Sequence, residues 1–484
     1  MAETLNSLAI ARFGLGQTAG AAETLREAAG AYQQLVAAAP DNADYRAELA
    51  NCQNNLGVTL QNMGRPTEAE AAYRQALALR EKLVEDSPKS AKWRRSLGRT
   101  LNSLAVLADD QGKLEESERY HRRTVQIREQ LVAEDANDAA NLSDLAISYS
   151  NLGSALSAQG RRAEAATLSR KAVDVQKRVA ERFPTVAFYR LTLAKDLRNL
   201  GNDLEGLGRS AEARSVFVEA AALHEKLLAD APAVTEHRFD LGRAWAVLAR
   251  SLTDLGRFDE AEAELRKGVP LIEQACAAAP DQTAWSGELG LAYVYFGRLF
   301  HERGDPAAGL PWFARAVDTL NQCAAKNPGL ADTKHYLIEA HADRAEALDR
   351  LGRHAEALRD WNRAIDLAGP GHDDVYRSFR MLSAGKPGDA TATADEAARG
   401  ANASGELLYQ LARVFALASA AFKGQPDEAR YAARTVELLR ETATRDYDPS
   451  GWMQHDSTLA GLRARPDFQK LAEELAAKQK VEGR

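Results

Sequence analysis

The residues with most to offer chemically are cations in the middle of the chain: Lys195, Arg198, Arg243, Arg250 and Arg298, with Asn202 among them. A guanidinium is a planar fork of N–H donors, suited to bidentate contact with a carboxylate or phosphate. Enzymatic chemistry finds little support around them. Gly14-Leu15-Gly16-Gln17-Thr18-Ala19-Gly20 has the outline of a phosphate loop, but no strand precedes it and Gly16 falls on a recurring turn. There is no glycine-rich loop on a strand, no strand lysine pattern, no HRD run and no DFG, so a kinase centre is not expected in this chain. The histidines form no HExxH and no paired Cys/His spacing, and His335 and His341 do not share a helical face. No catalytic residue, metal or cofactor is therefore expected.

Composition bounds the rest. Hydrophobic residues make up 45% of the chain and charged residues 27%, enough for a core and usual for a globular protein. The net charge is −7 and Lys/Arg form no long basic run, which argues against sequence-independent nucleic-acid binding. Cys52, Cys276 and Cys323 make no CxxC and read as small buried hydrophobes in a reducing, cytoplasmic compartment. No basic segment followed by an apolar one opens the chain, and no stretch reaches the roughly 20 apolar residues of a membrane span.

What positions these residues is a repeat of 48 residues. Leucine recurs at Leu49, Leu97, Leu145, Leu193, Leu241, Leu289 and Leu337, and glycine at every corresponding step from Gly16 to Gly352. Proline recurs at Pro40, Pro88, Pro184, Pro232, Pro280 and Pro328, with Ala136 in the one gap. A fixed period of this size marks a solenoid, whose units bury their apolar faces against their neighbours. Within one unit, Tyr45, Leu49, Leu56 and Leu60 have helical spacing, Gly64-Arg65-Pro66 interrupts it, and Ala69, Tyr73, Ala76 and Leu83 resume it before Pro88. Each unit is therefore expected to be an antiparallel helix pair. Small residues recur where the two helices must approach, at Gly57, Gly153, Gly201 and Gly297 in the first helix and at Ala69, Ala165, Ala213, Ala261 and Ala357 in the second.

The order Gly57, Leu60, Gly64, Ala69, Tyr73, Ala76 resembles the tetratricopeptide repeat, whose usual unit is about 34 residues. The extra length here extends both helices. Long-helix repeats of this kind resemble the C-terminal arrays of planctomycete-type bacterial serine/threonine protein kinases. The resemblance implies an all-α superhelix in which first helices line a concave groove that binds protein or peptide. Carried onto this sequence, groove positions include Asn51 and Asn54, then Arg99 and Asn102, then Lys195, Arg198, Asn202, Arg243, Arg250 and Arg298 as a stripe of cations. Some members hold a partner's terminal carboxylate with Lys and Asn. Arg198 and Asn202 match that spacing, whereas Val247 stands where a second Asn would be. The same cations also fit a solvated face paired with Asp196, Asp203, Glu205 and Asp254.

The regular array is expected over residues 1–368, about eight units with the first truncated, and degenerate helix pairs with a capping segment over 369–484. Met1 falls at the phase of the recurring leucine, as though the chain opened inside a repeat. Gly369-Pro370-Gly371 breaks the period, and shorter pairs follow over Asp373–Ala384 with Asp389–Ala401 and over Glu406–Phe422 with Pro426–Arg445. The expected function is a non-catalytic scaffold in bacterial signalling or assembly, taking a protein or peptide with acidic or C-terminal carboxylate groups, with neither nucleic acid nor membrane as partner. The alternatives are the regulatory part of a kinase whose catalytic domain is absent here, and a self-associating scaffold. Contacts restricted to neighbours predict that unfolding spreads along the array. Hydrogen exchange should then show the Met1 end exchanging before the central units, and uniform protection throughout would contradict this.

Overall fold

A computed structural model describes residues 1–369, 373–400, 403–445 and 447–481. Among them every regular element is helical. The chain divides into two compact units, Met1–Tyr189 and Arg190–Arg484. The first holds α1 (Ala2–Gly14), α2 (Thr18–Ala38), α3 (Ala43–Asn62), α4 (Pro66–Asp86), α5 (Ala91–Asp110), α6 (Leu114–Glu134), α7 (Ala139–Ala158) and α8 (Arg162–Arg182). From α9 (Ala187–Gly206) the second continues with α10 (Ser210–Asp230), α11 (Thr235–Asp254), α12 (Phe258–Ala278), α13 (Thr283–Arg303), α14 (Pro306–Lys326), α15 (Ala331–Arg350) and α16 (His354–Ala368). Shorter helices complete it: α17 (Asp374–Ser383), α18 (Pro387–Ala398), α19 (Gly405–Ala421), α20 (Pro426–Thr442), α21 (Ser450–His455) and α22 (Pro466–Val481). The architecture is the all-α stack of antiparallel helix pairs that the repeat implies, closed by a helical C-terminal cap.

The helix ends follow from local chemistry. In the α3–α4 turn, Gly64 adopts φ +68°, which lets the Arg65 N–H reach the Leu60 carbonyl at 2.9 Å and the Gly64 N–H reach Gln61 at 3.0 Å. Those bonds satisfy carbonyls that the end of α3 would leave bare. Pro66 then occupies the first turn of α4, where its missing N–H costs nothing. At the other end of the unit, Asn42, Ser90 and Asp138 cap α3, α5 and α7 with side-chain oxygens, so the N-cap shares the 48-residue period in the first unit.

Close approach of paired helices explains the small residues. A Cβ at Gly57 would lie 2.5 Å from the fully buried Tyr73 ring. Gly242 on α11 and Gly268 on α12 pack backbone to backbone, each within 2.7 Å of the other's carbonyl oxygen if a Cβ were added. The cap is part of the core of the second unit. Met453, Leu459, Leu462, Phe468 and Leu471 bury against a cluster that includes Trp361, Phe415 and Leu438.

The degenerate pairs occur as α17–α18 and α19–α20, with Pro387 opening α18. Pro370, Gly371 and Ala401, which the sequence reading assigned to a breaker and a helix end, lie outside the described residues. No helix among the described residues is long and apolar enough to cross a membrane. Because backbone faces backbone at Gly242, Gly242→Ala should cost about 1–3 kcal/mol. Urea unfolding followed by circular dichroism measures this, and an unchanged midpoint would show that α11 and α12 separate freely.

Candidate functional site

In the first unit the groove positions are tied up by a side chain from the second helix. Arg80 on α4 is 3% exposed and inserts between α3 and α5. Its guanidinium donates to Asn51 Oδ1 at 2.8 Å, Asn54 Oδ1 at 3.4 Å, the Ser96 carbonyl at 2.8 Å and the Thr100 hydroxyl. Burial, with a contribution from Arg99, pushes its pKa down to about 10. One period later Arg128 on α6 does the same, donating to the Asp144 carbonyl and the Ser148 hydroxyl at 2.5 Å each. Gln176 and His224 continue the position, and Ile272 and Leu320 finish it with hydrocarbon. Asn51 and Asn54 thus act as acceptors for a polar staple between neighbouring helix pairs. Asn102 accepts from Asn151 at 2.9 Å, and exposed Arg99 reaches only as far as Ser96 at 3.2 Å. The signal for the staple was present in the sequence, as a polar residue at a fixed phase of an otherwise apolar second-helix face.

The second unit places its first-helix cations differently. Arg250 pairs with Glu205, donates to Asn202 Oδ1 and the Tyr295 hydroxyl at 3.1 Å each, and lies over the Tyr295 ring. Arg298 binds Asp343 at 2.8 Å and Glu339 at 3.3 Å. Burial opposes both guanidinium charges, and these carboxylates more than offset it, so both pKa values rise. Asn202 and these two cations therefore belong to a network of alternating charge that cross-links neighbouring first helices.

Arg243 and Arg198 stand apart from that network. Arg243 binds Asp240 at 2.8 Å and rests on the Phe239 ring, which stacks on Trp285 at 4.6 Å. Arg198 has no ion pair or hydrogen bond among the described residues, and its Nε is buried without an acceptor. Burial and the neighbouring Arg243 push its pKa down to about 10, against the opposing influence of Glu288, Asp240 and Tyr336. Tyr336 spends its hydroxyl on Glu288 at 3.2 Å. Glu288 on α13 and Tyr336 on α15 thus lie within electrostatic range of Arg198 on α9. Behind Arg198, the buried His224 is pushed down to about 4 by burial and by Arg243, Arg198 and His237, so it stays neutral near pH 7. Lys195 is exposed beside them.

Toward the turn ends the face becomes acidic. Asp254 is 5% exposed, and burial together with Glu205 raises its pKa well above the carboxylate range. Burial also raises Asp343 to about 6 and, with Asp456, raises Glu302 to about 8. Asp456 comes from the cap. It accepts from Tyr409 at 2.6 Å and meets Arg413 at 3.0 Å, and Arg413 also pairs with Glu346 at 2.5 Å. Asp448 N–H donates to the Leu207 carbonyl at 2.8 Å, so the chain before α21 is stitched to the end of α9.

Two family models described as tetratricopeptide repeat match the chain, one over residues 49–89, 97–135, 145–183 and 197–232, the other over 242–267 and 338–359. The chain carries tetratricopeptide repeats. Among solved structures it is similar to the apo form of RapI, with 12% identity, TM-score 0.46, and coverage of 67% of this chain and 99% of that one. It is similar to a Rap protein complexed with Competence and Sporulation Factor, with 15% identity, TM-score 0.47, and coverage of 89% and 99%. A human IFIT1 dimer with m7Gppp-AAAA also matches, with 16% identity, TM-score 0.37, and coverage of 90% of each chain. No curated protein matches significantly.

The staple carries a prediction. Arg80→Leu keeps hydrocarbon, as Leu320 does naturally, but strands Asn51 Oδ1 and takes a donor from Asn54 and Thr100, which keep their own hydrogen bond at 3.0 Å. It should cost roughly 2–3 kcal/mol, the scale of buried polar groups left unpaired. Chemical unfolding would measure this, and a change under about 0.5 kcal/mol, the range of an ordinary surface substitution, would remove the staple role.

Proposed function

We propose that the second unit is a non-catalytic scaffold that binds a protein or peptide along its concave face, with Arg198 as the anchor for a partner carboxylate. The observation that carries this is the unpaired state of Arg198. Arg250 and Arg298 have carboxylates of their own, Arg243 has Asp240, and Arg198 has a buried, acceptorless Nε. A guanidinium held in a low-dielectric setting without an anion is a site short of one carboxylate, and bidentate pairing there is stronger than in water. The partner is protein rather than nucleic acid in this reading, because carboxylates are interleaved with the guanidiniums and would repel a phosphate backbone. The setting, bacterial cytoplasmic signalling or assembly beside a serine/threonine kinase, rests on the resemblance of the long repeats alone.

The test compares binding partners of the wild-type chain with those of Arg198→Ala and of Arg99→Ala, an exposed arginine in the first unit. A charge-assisted hydrogen bond contributes about 1.5–3 kcal/mol. Arg198→Ala should therefore weaken the bound partner by roughly 10–100-fold, with Arg99→Ala near wild type. Equal affinities for all three would end the Arg198 reading. A partner peptide with an amidated C-terminus distinguishes a terminal carboxylate from an acidic side chain.

A second reading, self-association, is favoured by Leu8 and Ile10 of α1, which are 44% and 55% exposed. Light scattering over a dilution series that showed a constant monomer mass would remove it.

A further inference from the structure

The concave face of the second unit changes sign along the helix axes. Arg198 and Arg243 lie near the middle of α9 and α11, whereas Asp254 and Glu302 lie at the turn ends of α11 and α13. In repeat register Asp254 is about eight residues beyond Arg198, or about 12 Å at the helical rise. Asp254 faces Glu205, Arg250, Arg298 and Glu302. Glu302 faces Asp456, Arg413 and Glu346 as well, and Asp343 faces Arg298, Glu346 and Glu339. Arg250 is engaged by Glu205, Arg298 by Asp343 and Arg413 by Asp456 and Glu346, so carboxylates outnumber the guanidiniums around them.

The excess is not absorbed by the fold. Asp254, about nineteen-twentieths buried, has an Oδ1 that is closed off from solvent and meets no donor among the described residues. Its neighbours Arg298, Glu339 and Asp343 keep partial exposure, with side-chain values of 24%, 25% and 18%, so this end of the face is reachable. Among the described residues no group of three or more His, Cys, Asp or Glu is arranged to hold a metal ion. The missing charge is then better supplied by an ammonium or guanidinium, which needs fewer fixed ligands.

We propose that Asp254, with Glu302 beside it and Asp343 on the other side of Arg298, forms a cation site that takes a Lys or Arg side chain of the same partner whose carboxylate meets Arg198. This rests on the peptide reading of the groove. With the about 9 Å between neighbouring helices added to this axial offset, the two groups are about 15 Å apart, and at about 3.3 Å per extended residue the basic group lies about four to five residues from the carboxylate.

Burial holds protons on these acids in the free protein, and a bound cation favours their ionised form. Binding must therefore expel protons. Affinity should rise with pH up to about 8, where Glu302 titrates, and level off above it, with Asp343 adding to the rise only below about 6, by at most about tenfold per pH unit for each proton expelled.

The experiment selects peptides from a random heptapeptide library on the full-length chain, on Arg198→Ala, on Asp254→Asn and on Asp343→Asn, each checked for wild-type helical circular dichroism. The wild-type chain should enrich peptides with Lys or Arg about four to five residues from a carboxylate. Asp254→Asn or Asp343→Asn should erase the Lys/Arg preference and keep the carboxylate, and Arg198→Ala should do the reverse. Enrichment for carboxylate alone on the wild-type chain overturns the cation site and leaves the groove reading standing. Enrichment for Lys/Arg alone supports the cation site and overturns the role of Arg198. No enrichment overturns both. For an enriched peptide, calorimetry at pH 7 in buffers of different ionisation enthalpy should show proton release, and its absence in the wild-type chain also overturns the proposal.

Discussion

The distance between the first and second helix of each pair governs the rest of this structure. That distance is short enough for Gly242 and Gly268 to meet backbone to backbone, and within each unit neighbouring first helices lie side by side, as α3 with α5 and α11 with α13 do. Side chains projecting from these helices have neighbours a full period away, and they pair accordingly. Arg250 with Asn202, Arg298 with Asp343, Gln61 with Asp110 and Lys92 with Asp44 are all contacts between adjacent first helices. The small-residue contact sets the spacing within a pair, and these polar contacts tie one pair to the next. Dispersion holds the pairs together, and charge fixes how neighbouring pairs align.

This division explains what could be read in advance. Helix ends were legible because their causes are local: a glycine at positive φ, a proline in a first turn, an oxygen at the N-cap. The helix pairing was legible because the apolar phase and the small residues repeat without a break. The fate of Asn51 and Asn54 was not. Placing them on a first helix suggested a ligand-facing role, but their partner, Arg80, approaches from the following second helix. The clue lay in comparing Arg80, Arg128, Gln176 and His224 at one phase, where an apolar residue would have sufficed for packing. Ile272 and Leu320 do suffice there, which shows that the staple adds register to packing rather than replacing it.

The cationic stripe was legible as composition but not as electrostatics. Arg198, Arg243, Arg250 and Arg298 have one charge and one side-chain type, and the sequence offers nothing local to separate them. The fold does separate them, because Glu205, Glu339 and Asp343 are delivered to Arg250 and Arg298 by neighbouring helices, while nothing comparable reaches Arg198. The anchoring of the cap was hidden for a related reason. Asp456 lies beyond the end of the period, and its meeting with Tyr409 and Arg413 depends on a turn of chain with no counterpart upstream.

A face built this way is a polarised surface rather than a uniformly charged one. At one level an arginine is left without a carboxylate, and about 12 Å further along the helix axes a buried acid has an oxygen without a donor. Asp254 is relieved by retaining a proton, whereas Arg198, its pKa lowered only to about 10, stays charged near neutral pH without a partner. Neither state is as favourable as a paired charge in a partly desolvated groove, provided the partner brings both groups at the right separation. Recognition by such a surface depends on the order and spacing of opposite charges along a peptide rather than on net charge. A partner with only one of the two groups would leave the other defect buried and unpaired, and a partner with the order reversed would meet like charge at both ends.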